Sequence, residues 1–202
     1  MIDACIVWDH ETAYFFRGDR FYRWEIGLDA MPSGYPRPIA ADWPGWPEHW
    51  VDVESAVCWP NGRVYFFREG EYLAFDLEAD SVLEGYPQYI HGNWRGFPAH
   101  WTGVDAAVVW PNGRAYFFRG GEYLAFDIEQ DEVMPGYPQP IHGNWRGFPA
   151  HWPGVDSAVV FPNGRAYFFR NNEVLAFDIE ADCVVAGYPQ PIAAGWKGLP
   201  QD

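Results

Sequence analysis

Asp105-Ala-Ala-Val-Val-Trp-Pro-Asn-Gly-Arg-Ala-Tyr-Phe-Phe-Arg-Gly-Gly-Glu-Tyr-Leu-Ala-Phe-Asp127 reads as three strands and the two turns that join them. The run Ala107-Val-Val-Trp110 is continuously apolar, which fits a strand buried on both faces. Asn112-Gly113 predicts a type I′ hairpin turn, because both central residues of that turn need positive φ. Arg114-Ala-Tyr-Phe-Phe-Arg119 then alternates, with Tyr116 and Phe118 on one face and Phe117 and Arg119 on the other. Gly120-Gly121 predicts a second tight turn and Glu122-Tyr-Leu-Ala-Phe-Asp127 a third strand. A shorter, more polar fourth strand is expected around Asp131-Glu-Val-Met134.

The same text recurs throughout the chain. Asp3-Ala-Cys-Ile-Val-Trp8, Glu54-Ser-Ala-Val-Cys-Trp59 and Asp156-Ser-Ala-Val-Val-Phe161 repeat the first strand at intervals of 51 residues. Tyr14, Tyr65, Tyr116 and Tyr167 keep that interval, as do Trp43, Trp94, Trp145 and Trp196. Between the second and third units 39 of 51 positions are identical with no gap, so one structural unit is copied four times. Consecutive units of 40–50 residues, each with four antiparallel strands, are the pattern of propeller blades. The expected fold is all-β: one four-bladed β-propeller over residues 1–202, with blades near 1–51, 52–102, 103–153 and 154–202. Pro and Gly are too dense after the third strand for more than a helical turn there.

Composition agrees and narrows the partners. Aromatic residues form 19% of the chain, ample for a packed core. The formal charge is −15, so phosphate backbones and anionic lipid surfaces are repelled, which argues against nucleic acid and membrane as partners. Three cysteines (Cys5, Cys58 and Cys183) match neither a disulfide framework nor a zinc knuckle. They predict reduced thiols, mostly buried. With no basic-then-apolar run at the N-terminus, this favours a cytoplasmic location.

Asp-Ala-Ala-Val-Val-Trp, Arg-Ala-Tyr-Phe-Phe-Arg-Gly-Gly-Glu-Tyr, Gly-Tyr-Pro-Gln-Pro-Ile and Trp-Arg-Gly-Phe-Pro together resemble the hemopexin repeat, found in hemopexin, vitronectin, matrix metalloproteinases and plant seed albumins. The resemblance covers all four units. It implies a narrow axial tunnel in which backbone carbonyls hold a cation such as Ca²⁺ or Na⁺. Carried over by position, the carbonyls would be those of Asp3, Glu54, Asp105 and Asp156, with a second ring at Cys5, Ala56, Ala107 and Ala158. Secreted animal members tie the first blade to the last by a disulfide. Cys5 and Cys183 do not match those positions, so ring closure must rest on packing.

No Gly-x-Ser-x-Gly, phosphate-cradling loop or His-Glu-x-x-His is present, so a binding protein is expected rather than an enzyme. His49, His100 and His151 share one repeat position, with Asp202 as the fourth equivalent. If they converged they would suit Zn²⁺, Ni²⁺ or heme iron. His91 and His142 form a second repeated pair, and His10 stands alone. The loops Asp76-x-Glu78-x-Asp80, Asp127-x-Glu129-x-Asp131 and Asp178-x-Glu180-x-Asp182 lack calcium-loop spacing and read as a solvated acidic rim, with polyamine binding the sharper alternative. The leading functional expectation is a protein that binds metal ions or another small ligand, including heme. A protein-interaction module, as monomer or homodimer, is the alternative.

Overall fold

The computed structural model describes residues 1–200. Its innermost strands are Ala4–Val7, Ser55–Trp59, Ala106–Val109 and Ser157–Phe161. Each pairs antiparallel with a second strand, Thr12–Arg17, Arg63–Arg68, Arg114–Arg119 or Arg165–Arg170. The second strands pair in turn with the third, Arg20–Glu25, Glu71–Asp76, Glu122–Asp127 and Glu173–Asp178. Ala4–Val7 touches both Ser55–Trp59 and Ser157–Phe161, and Ala106–Val109 touches the same two. Four inner strands thus close a ring, and the chain is a four-bladed propeller. Among the described residues no helix is long and apolar enough to cross a membrane.

The fourth strand differs from its expected form. It is split into two-residue pieces that share the outer edge of the third strand. Glu132–Val133 pairs opposite Phe126 and Asp127, whereas Gln139–Pro140 pairs opposite Glu122 and Tyr123. The break falls at Gly-Tyr-Pro, where Gly136 has φ 88° and the Tyr137–Pro138 bond is cis, as are the three equivalent Tyr–Pro bonds. Pro138 has no N–H to give a ladder, and the positive φ of Gly136 turns the strand away. In the first blade the piece nearer the turn is reduced to a single bridge, Glu25 to Ala30. Single helical turns at Ile39–Asp42 and Ile192–Gly195 follow the outer pieces of the first and last blades.

The first turn also differs. Gly62, Gly113 and Gly164 have φ near 78°, but their preceding asparagines do not have positive φ. Gly113 N–H donates to Trp110 O, closing Trp110-Pro-Asn-Gly113 as a β-turn. Pro111 presets φ at the second position for a type I turn, and the glycine takes the left-handed position that follows. The proline overrides the type I′ reading of Asn-Gly.

The alternation of the second strand builds the core. Phe117 joins a cluster with Phe67 and Trp94 between blades two and three, while Phe118 joins Trp145 and Phe168 between blades three and four. Every core cluster lies in a seam between blades, with a tryptophan of the 43, 94, 145, 196 series at its centre. Each fully buried phenylalanine contributes roughly 1.5–3 kcal/mol through burial, so a blade without neighbours would lose both its apolar faces. Backbone bonds bridge the same seams: Val82, Val133 and Val184 N–H donate to Pro44, Arg95 and Arg146 O at 2.9–3.0 Å. Gly147 (φ 85°) lies so close that a β-carbon there would sit 3.0 Å from Val184 Cβ.

The seam that closes the ring is built differently. Elsewhere an inner-strand tryptophan meets a third-strand phenylalanine: Trp8 with Phe75, Trp59 with Phe126, Trp110 with Phe177, at 6.0–6.2 Å between ring centroids. At the closing seam the sizes are exchanged, with Phe161 on the inner strand and Trp24 on the third strand of the first blade. Trp24 is fully buried and lies 5.3 Å from Trp196. The cysteines are all unpaired, so no covalent bond closes the ring; besides the packing, the Cys5 thiol donates to Ser157 Oγ across this seam at 3.7 Å. Cys5 is buried, whereas Cys58 and Cys183 are only part-buried.

Candidate functional site

Antiparallel pairing sends successive residues' N–H and C=O groups alternately to the two edges of a strand. Trp8 N–H donates to Thr12 O, and Trp110 N–H to Arg114 O, which fixes the phase. Ala4 and Ile6 therefore face the second strand. The carbonyls of Cys5 and Val7 are left on the edge toward the axis, as are their equivalents in the other blades. One further contact agrees: Val7 O accepts the Cys58 thiol of the adjacent inner strand at 3.2 Å instead of a bond from its own blade. Cys5, Ala56, Ala107 and Ala158, with the two residues that follow each, line a central channel of about 70 Å³.

Asp3, Glu54, Asp105 and Asp156 stand at one mouth of that channel, around a cavity of about 370 Å³. Their N–H groups are already committed, donating to Phe16, Phe67, Phe118 and Phe169 O at 2.8–3.0 Å. The carboxylates have a separate job. Each accepts the backbone N–H of the second turn: Gly18 to Asp3, Glu69 to Glu54, Gly120 to Asp105 and Asn171 to Asp156, at 2.7–3.0 Å. Burial pushes the Asp3 and Glu54 carboxyls up from their ordinary values, against the lowering effect of those bonds. Arg119 and Arg170 answer Asp105 and Asp156 in the same mouth. Neither arginine was singled out from sequence. Their signal was the Arg ending each Tyr-Phe-Phe-Arg run, which the register sets directly across from the acid that precedes the inner strand.

The repeated histidines are not brought together. His100 Nε2 lies 3.0 Å from Glu122, His151 Nε2 lies 3.2 Å from Glu173, and His49 Nε2 lies 3.8 Å from Glu71. Those glutamates open the third strands, so each histidine sits over a different seam, away from the axis. Among the described residues no group of three His, Cys, Asp or Glu side chains could hold a metal ion. Asp202 lies outside the described residues. The expectation of a histidine ring for Zn²⁺, Ni²⁺ or heme is thus corrected: the repeat distributes the imidazoles around the rim. Trp101 Nε1 donates to the same Glu122 oxygen and Trp152 Nε1 to Glu173. The His100 bond first and the Trp101 bond second hold the Glu122 carboxyl below its usual range, and Trp152 then His151 do so for Glu173.

His91 and His142 are likewise structural, their Nε2 atoms lying 2.9 and 2.8 Å from Trp101 and Trp152 O. The acidic loops divide by role. Asp76, Asp127 and Asp178 accept backbone N–H groups of their own turns, while Asp80, Asp131 and Asp182 occupy left-handed backbone near φ 51–55°.

A closed ring of four blades around one central channel defines a small four-bladed β-propeller. The hemopexin family model matches residues 2–48, 53–99, 104–150 and 155–201, one repeat per blade, and the chain belongs to the hemopexin family. Stromelysin-3 of Xenopus laevis is 31% identical over 201 residues, covering 95% of this chain and 39% of the relative. Matrix metalloproteinase-2 of Drosophila melanogaster is 28% identical over 175 residues, covering 84% of this chain and 22% of the relative. The chain therefore spans well under half of these relatives. Among solved structures, a hemopexin-fold protein CP4 from cow pea superposes with a TM-score of 0.81 at 18% identity, covering 96% of this chain and 95% of that one. A plant lectin with two metal-binding sites from Cicer arietinum superposes at 0.82 and 17% identity, covering 97% and 95%. At such identities the likeness is one of fold.

Proposed function

We propose that this chain is a non-catalytic binding propeller that holds one hard cation on its axis, with Ca²⁺ or Na⁺ as the matching ions. The observation that carries the reading is the ring of Asp3, Glu54, Asp105 and Asp156 at the channel mouth, with their N–H groups used inside their own blades; in this reading their carbonyls face the ion. The carbonyls of Cys5, Ala56, Ala107 and Ala158 supply a second oxygen layer behind them. Oxygen-only coordination by main-chain carbonyls, completed by water, suits Ca²⁺ and Na⁺ and gives nothing to soft metals. The four nearby carboxylates add negative potential without needing to touch the ion. The Cicer arietinum lectin with metal-binding sites on the same fold supports metal binding as the general class.

Elemental analysis after exhaustive dialysis against metal-free buffer, then after re-equilibration with Ca²⁺, tests this. Close to one equivalent retained, with a rise in Tm on adding Ca²⁺, is the expected result. No retained cation and no Tm change with either Ca²⁺ or Na⁺ would remove the proposal.

A further inference from the structure

Three of the four seams carry the same outer fastening. Leu83, Met134 and Val185 N–H donate to Ala74, Ala125 and Ala176 O of their own blades at 2.8–2.9 Å, which anchors the valine before each. That valine then gives its N–H across the seam, and its Cβ lies 3.0–3.2 Å from where a β-carbon on Gly45, Gly96 or Gly147 would stand. The closing seam has Pro32 at the anchoring position, with no N–H for Arg23 O. Met31 takes the place of the valine, and among the described residues its N–H makes no bond to Lys197 O. The main chain stands off: Met31 Cβ is 3.8 Å from where a β-carbon on Gly198 would be, and the side chain spans the gap, with Cε 2.8 Å and Sδ 4.0 Å from the same point. The thioether is partly buried against the cluster that holds Trp24 and Trp196. A flexible, polarizable side chain here fills a gap too wide for valine.

We propose that Met31 is an oxidative modification site, and that its sulfoxide unfastens the closing seam. A peroxide transfers one oxygen to Sδ: the sulfur lone pair forms the S–O bond, the O–O bond breaks, and hydrogen peroxide, thereby reduced, leaves as water. The product is polar, in a place packed against Gly198 and two indoles. It must either leave its new oxygen without a donor or swing out to water. Both outcomes remove the side chain that joins first blade to last where no backbone bond does. The central thiols compete poorly for oxidant, because burial pushes Cys5 and Cys58 up to about 12 and leaves little thiolate at neutral pH. Of the other methionines, Met1 lies at the channel mouth, and Met134 is held on the third blade by its backbone bond. Met31 is the one packed on the closing-seam cluster.

The test is graded hydrogen peroxide treatment of the whole chain, with peptide mapping by mass spectrometry to score sulfoxide at each methionine. Tm and amide hydrogen exchange are read on the same samples. Tm should fall by about 3 °C or more as Met31 is converted. Exchange should quicken at Glu25, Ala30 and Trp196, while Val133 and Val184 keep their protection. Met31→Leu conserves volume without the sulfur, so the same treatment should leave its Tm unmoved. Met134→Leu should respond as the parent does. Met31→Gln, a polar chain of like length, should reproduce the loss with no oxidant. Methionine sulfoxide reductase with dithiothreitol should restore the oxidised parent, and dithiothreitol alone should not. Met31 spared while Met1 and Met134 are converted, full conversion with Tm unchanged, or an equal loss in Met31→Leu would each overturn the assignment. Recovery with dithiothreitol alone would do so too, by placing the effect on a thiol.

Discussion

At Gly147 positive φ and a 3.0 Å approach to the neighbouring blade coincide, so a methyl group there meets both backbone strain and Val184. Gly147→Ala should lower stability by about 1–3 kcal/mol in urea titration, without a change in m-value. Glu69 is the opposite case, a side chain held at φ 55° where the third blade has Gly120. Glu69→Gly should stabilise by up to about 1 kcal/mol in the same assay. Glu122 gives a pH signature. Its carboxyl is depressed in the folded protein by His100 and Trp101, so its contribution is present above the unfolded carboxyl pKa and lost as pH falls through the folded one. Chemical denaturation of Glu122→Gln against the parent should show a gap at pH 6 that closes on acidification toward pH 3; a gap independent of pH would assign the effect to packing. At this scale the sequence was only partly legible. The identity of each acid and histidine was plain, but a repeat gives a residue's angle around the ring and not its radius. The histidines therefore fell on separate glutamates. The mouth acids were placed on the axis through the resemblance, and their bonds to the second turn could not be seen without the fold.

The strand elements followed directly from alternation, because Tyr-Phe-Phe-Arg assigns neighbouring rings to opposite seams and leaves no other placement for them. The departures came where proline intervened. Pro111 converted an Asn-Gly turn into a type I turn with a left-handed glycine, and Gly-Tyr-Pro cut the outer strand in two. Both are local conformational effects that hydrophobic periodicity does not carry. The element most dependent on its neighbours is the segment around Trp145, whose ring meets Phe118, Phe168 and Phe177 within 5.4 Å between centroids. Trp145→Ala should cost about 3–5 kcal/mol by equilibrium unfolding. The neutral substitution Trp145→Phe should recover most of that loss if shape, and not the indole N–H, is what the seam requires.

As a whole molecule the propeller is a ring of four apolar seams with no covalent closure, so its cohesion depends on every seam at once. Unfolding should be a single cooperative transition, with far-ultraviolet circular dichroism and tryptophan fluorescence giving coincident midpoints. Two separated transitions would mean that blades melt independently. The four-fold plan was legible from spacing alone. The closing seam is set apart from the other three by a smaller feature, the exchange of Trp and Phe between its two sides.

That exchange has a consequence for assembly. Near-identical blades invite shuffled arrangements, in which one copy docks beside the wrong neighbour or a second chain lends a blade. Phe161 against Phe75 would leave a hollow, and Trp8 against Trp24 would crowd two indoles into space fitted for one. The last blade thus fits the first like a key cut for one lock, and the chain carries its own instruction for where the circle ends.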